Sequence, residues 1–152
     1  MEERFTVRCA VHLFLIKDNS ILVEKRKNRT YCNGQYDVIA SHILGNEDVY
    51  NTIINTAKKE VNIEIKRQDI TPIQVMHHKS DECEYIHYFF ITDKYQGEIN
   101  NNEPEICERL EWVKFKYPID NMMEYINYAI KNYLNNPNDK FTVFGFTKEN
   151  IS

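Results

Sequence analysis

The stretch "SHILGNEDVYNTIINTAKKEVNI", Ser41 to Ile63, constrains the fold of this chain more than any other. It reads as a polar loop running into an amphipathic helix. Val49, Ile53, Ala57 and Val61 recur every four residues, with Ile54 beside them, and form one apolar stripe. A helix with a single stripe must bury it against another layer. Asp48 is the expected N-cap, Glu47 lies beside the positive end of the helix dipole, and Asn62 takes the C-cap where glycine is usual.

Strands supply that layer. "FTVRCAVHLFLI" is apolar enough for a strand buried on both faces, "KDNS" turns, and "ILVEKR" returns. After the loop "NRTYCNGQ", the short strand "YDVIA" delivers the chain to Ser41. Beyond the helix, "ITPIQVMHH" and "EYIHYFFITD" are strands joined across "KSDEC", "NNNEPE" is a loop, and "RLEWVKF" is another strand. A second amphipathic helix, "MMEYINYAIKNYL", follows the turn "PIDNM", and the aromatic "KFTVFGF" is expected to pack back onto the domain. The order β-β-β-α-β-β-β-α predicts one mixed α+β domain over residues 1–152.

Composition narrows the function classes. Hydrophobic residues make up 42% and charged residues 28%, which is globular. With 19 basic against 23 acidic residues the net charge is -4, so nothing neutralises a phosphate backbone, and generic nucleic-acid binding is disfavoured. Cys9, Cys32, Cys83 and Cys107 form no CxxC pair, which argues against zinc and against a disulfide framework. "MEERFTVR" is too charged for a signal peptide, and the longest apolar runs are too short to cross a bilayer. A cytoplasmic protein without a membrane anchor is the expectation; oligomeric state is not readable.

Several stretches together resemble one known family. The approach "YCNGQYDVIASHILGNED" is similar to "yadGxyxlPaGHvExGE", and "VMHHKSD" to "VmHRxs". Likewise "GEINNNEPEICERLEWV" is similar to "GExxNxEPxKCxxLxWf", "PIDNMMEYINYAI" to "LPxNmxxYxxxAI", and "FTVFGF" to "YsxFGW". These patterns belong to a bacterial subgroup of the Nudix hydrolases, and they run in order along nearly the whole chain. The resemblance implies a Nudix fold, a mixed β-sheet sandwiched between α-helices. It also implies Mg2+- or Mn2+-dependent cleavage of a pyrophosphate bond in a small nucleotide derivative.

The family's box, GX5EX7REUXEEXGU, falls on Ser41 to Ile63. Its four glutamates land on Glu47, Thr56, Lys59 and Glu60, and its arginine on Asn55. The REUXEE spacing gathers carboxylates at i, i+3 and i+4 on one helical face, where magnesium, a hard oxygen-loving ion, neutralises them. Here that face carries one carboxylate, one hydroxyl and one ammonium, and a protonated lysine has no lone pair to ligate a metal. An asparagine is not expected to replace the arginine's charge-assisted bond to a box carboxylate.

By the resemblance, Glu47 and Glu60 are the candidate catalytic residues. Glu60 is the best candidate metal ligand, with Glu103 or Glu105 as a further carboxylate from a late loop. Lys59 is a candidate contact for ligand phosphate in place of the metal, His42 lies in the active-site approach, and Phe144 has the aromatic face a base stacks on. Each has a plainer reading as helix charge, solvated loop or core. His77 and His78 are adjacent on a strand and point to opposite faces, which argues against a shared metal. Three functions remain open: a pyrophosphohydrolase with an altered metal site, a nucleotide-binding or regulatory module that has lost hydrolysis, and an interaction protein.

Overall fold

The computed structural model describes residues 2–146. Four strands come first: β1 (Arg8–Lys17), β2 (Ser20–Arg26), β3 (Tyr36–Asp37) and β4 (Ile39–His42). Helix α1 (Val49–Val61) is followed by a 3-10 turn at Arg67–Asp69, then β5 (Thr71–Lys79), β6 (Glu84–Thr92) and β7 (Cys107–Lys114). Helix α2 (Glu124–Asn135) and β8 (Phe141–Phe144) complete the described chain. One mixed sheet has the order β3-β2-β1-β6-β5-β8, with β4 paired to β1 and β7 to β2.

β1 is the hub. It pairs in parallel with β6 and antiparallel with β4, and its last residues pair with β2 across the turn at Asp18 and Asn19. Both turn residues have positive φ, 50° and 66°, the backbone that a tight hairpin requires. Side chains alternate along the strand. Val11, Leu13 and Leu15 face α1 with Ile53, Ala57 and Val61, while Phe14 faces α2 with Ile126, Ala129 and Ile130. Two apolar layers on opposite faces explain why the β1 sequence is apolar at successive positions, and they give the predicted helix–sheet–helix sandwich.

Several boundaries differ from expectation. "YDVIA" is two strands, β3 and β4, which pair with different neighbours, β2 and β1. β1 starts at Arg8, and Phe5, read as part of the strand, is 73% exposed. α2 starts at Glu124, after the two methionines. Of the α1 stripe, Ile53, Ala57 and Val61 are buried, while Val49 and Ile54 lie at its margin. The closing segment does return, with β8 parallel to β5, although its first residue, Phe141, is exposed.

Both ends of α1 are fixed locally. Asp48 Oδ1 accepts from the Asn51 backbone N–H at 2.8 Å, and Asn62 ends the helix in the left-handed region at φ 65°. The loop at 100–102 takes up the free carbonyls, with Asn100 N–H donating to Val61 O and Asn102 N–H to Glu60 O, both at 3.0 Å. Asp48→Ala should cost about 1 kcal/mol, read as a lower urea midpoint at unchanged slope. An unchanged midpoint would show the cap to be inert.

Candidate functional site

The acidic residues that meet at α1 come from four segments of the sequence. Leu22 of β2 faces α1, so Glu24, two residues on, faces it too. Register pairs Glu24 with Asp37 of β3. Glu60, one turn past Thr56, points inward from α1, and the 100–102 cap places Glu103 beside it.

Burial makes this cluster proton-rich. The Glu24 and Glu60 carboxyls lie side by side. Glu60 is pushed up to about 8, first by desolvation and then by the negative charges of Glu103 and Asp37. Glu24 lies well above the usual carboxylate range for the same first reason, with Glu60 and Asp37 adding to it. Asp37 is also raised, because its burial outweighs the ion pair with Arg26 at 2.8 Å and the Val38 N–H at 2.7 Å. Glu60 Oε1 is buried with no hydrogen-bond partner among the described residues. Burial and mutual repulsion thus favour the protonated forms of Glu24 and Glu60 over the ionised ones.

The box positions are used differently. Thr56 is buried; its hydroxyl donates to Thr52 O and accepts from Ser41 Oγ, both at 2.7 Å. Lys59 is exposed, turned away from Glu60's inward direction. Glu47 is exposed at the helix mouth, where Asn55 Nδ2 donates to its Oε2 at 2.6 Å. Asn55 thus reaches the same carboxylate with a neutral donor, and no charge-assisted bond forms there. Glu47 and Glu60 do not converge.

The remaining candidates scatter. Glu103 joins the cluster, whereas Glu105 is exposed and contributes only its backbone carbonyl, to Asn28 Nδ2. His42 is exposed at the end of β4, 3.4 Å from the Tyr85 hydroxyl. Phe144 packs against Tyr128 and His78 on the α2 side of the sheet, the face opposite Glu60. His77 and His78 do diverge: His77 pairs with Glu84 at 2.8 Å, and His78 turns inward.

Inward from His78 lies an unexpected row on the α2 side. His12 Nε2 and His87 Nδ1 are 2.8 Å apart, and His87 Nε2 and His78 Nδ1 are 3.1 Å apart, with the Tyr125 ring stacked over both His78 and His87. Burial pushes His12 down to about 3 and His78 to about 4, and His87 further, so the imidazoles are neutral. His12 Nδ1 has no hydrogen-bond partner among the described residues.

Magnesium or manganese, implied by the resemblance, was tested against these residues. Among the described residues no three His, Cys, Asp or Glu side chains are arranged to hold a metal ion. Thr56 is committed to Ser41 and the helix backbone, and Lys59 brings a positive charge, which leaves Glu60 the one box carboxylate on that face. The residues present do not fit the family's magnesium site.

Comparison with known proteins places the fold. No protein-family model and no curated protein matches the chain. Solved structures do. A MutT Nudix hydrolase from Burkholderia pseudomallei is 20% identical with TM-score 0.75, covering 83% of this chain and 97% of that one. The MutT protein from Bacillus halodurans is 16% identical with TM-score 0.74, covering 95% and 93%. A bifunctional NMN adenylyltransferase/ADP ribose pyrophosphatase from Francisella tularensis, solved with AMP and a manganese ion, is 16% identical with TM-score 0.66. That match covers 88% of this chain and 42% of the other. The fold is that of the MutT/Nudix hydrolases, as the sequence resemblance implied.

Proposed function

We propose that the protein is a Nudix module that binds a small nucleotide derivative and does not cleave it by the family's metal-dependent route. One observation carries this reading: on the metal-binding face only Glu60 keeps a carboxylate, while Thr56 is bonded to Ser41 and the helix backbone and Lys59 is exposed. Retention of the family pattern along the chain supports a ligand of the family's kind. Breaking a pyrophosphate requires charge stabilisation on the bridging and terminal oxygens as water attacks phosphorus, and Thr56 and Lys59 leave no carboxylate set to hold a cation for that task. Among the described residues no helix is long and apolar enough to cross a membrane.

The test is incubation with a panel of nucleotide derivatives plus Mg2+ or Mn2+. The wild type should show no turnover yet melt at a higher temperature with a nucleotide present, because a ligand that prefers the folded state stabilises it. The double change Thr56→Glu, Lys59→Glu should gain activity. Wild-type turnover that Glu60→Gln abolishes would sink the proposal. That outcome belongs to a second reading, a hydrolase using a different acid set, which the unpartnered Glu60 Oε1 and the nearby Glu103 favour.

A further inference from the structure

The acidic cluster gathers Glu24, Asp37, Glu60 and Glu103, and Arg26 beside it is already paired with Asp37 at 2.8 Å. The outer flank of α1 offers the opposite environment. A cleft of about 410 Å³ opens there between the helix, the segment after it and the loop at 94–96. Its floor is apolar, built from Ile63 and Ile65, both buried, with Ile54 beside them. Tyr95 gives an aromatic wall, and Lys58, Lys66 and Lys94 ring the opening.

The cleft is a fixed feature. Glu64 and Gln96 exchange both backbone hydrogen bonds at 2.9 Å, which ties its two walls together. Next to them Gly97 has φ 104°, and a Cβ there would come within 3.0 Å of Asn62 O, so the loop is held against the helix end by a residue with no side chain. The charges are unequal. Glu64 is held by Lys58 at 3.6 Å, and Asp69 is the other acid of the lining, while Lys66 and Lys94 make no ion pair among the described residues. The volume lies in the range of small-molecule sites, which combine an apolar body with a few placed polar groups.

Resting on the reading that this chain binds a nucleotide derivative, the geometry points to this cleft as the place: a nucleoside phosphate whose base lies against Tyr95 and the isoleucine floor, with its phosphates on Lys66 and Lys94. The α1 lysine that lines the cleft is Lys58, paired with Glu64, and not the neighbouring Lys59.

Calorimetric titration with AMP, ADP and inorganic pyrophosphate, with EDTA present, tests the assignment. Wild-type protein should bind ADP more weakly as salt rises. The double change Lys66→Ala, Lys94→Ala should weaken ADP binding about tenfold or more at unchanged melting temperature, and Lys59→Ala should leave it unchanged. Equal ADP binding by wild type and the double variant would overturn the cleft assignment and leave the binding function standing. Binding of none of the three by the wild type would overturn both.

Discussion

Glu60→Gln is expected to make the protein more stable, and more so as the solution becomes alkaline. Glu60 titrates near 8 in the folded protein against an ordinary value of 4.5, and Glu24 is raised with it. An acid whose folded pKa is raised keeps its proton in the native state while the unfolded chain has lost it. Stability due to this pair is therefore fully present below about pH 4.5, falls as pH rises towards 8, and is absent above that. The amide needs no proton to enter the same space, and its N–H donates to Glu24. Urea midpoints should agree between wild type and variant near pH 4.5 and separate by on the order of 2 kcal/mol at pH 8.5. A gap that is the same at both pH values would show that Glu60 is ionised in the fold at neutral pH. The result bears on function directly, since a Glu60 that is ionised at neutral pH would again be available to a cation.

Helices, hairpins and caps were legible because each rests on neighbours in sequence. Asp48 and Asn62 are recognised from one turn of helix, and the α1 stripe from its four-residue repeat. The Nudix fold was legible from short patterns spread along the chain, even though the box itself had lost half its glutamates. The acidic cluster was not legible as a cluster. Glu24 and Asp37 are neighbours only through β2–β3 register, and Glu60 meets them only after α1 packs on the sheet. One signal was available: in "ILVEKR", Glu24 occupies a position that the alternation assigns to the buried face. Glu47 and Glu60 looked like partners because the family pattern joins them, but with Asn55 and Thr56 between them each finds a different neighbour. The histidine row was even less visible, since His12, His78 and His87 lie on three strands and only strand register brings them together.

That row gives the second large effect. His87 is the middle link, bonded to His12 on one side and His78 on the other. His87→Phe keeps a flat ring under Tyr125 but strands one nitrogen on each neighbour. Leaving a buried polar atom unpaired costs about 1–3 kcal/mol, so a loss of about 3 kcal/mol is expected at pH 7.5. The pH dependence runs opposite to that of Glu60. A histidine whose folded pKa is depressed stays neutral in the fold while the unfolded chain takes up a proton. Its stabilising effect is present above the ordinary 6.5 and is lost as pH falls towards about 4 for His78 and about 3 for His12. His87, the most strongly depressed of the three, contributes most to that acid loss, and the phenylalanine variant lacks it. Wild type and His87→Phe should therefore differ most at pH 7.5 and draw together towards pH 4.5 in urea titrations. The Glu24–Glu60 contribution is common to both proteins and cancels from the difference. A gap that widens on acidification would mean that the row carries a proton in the native state.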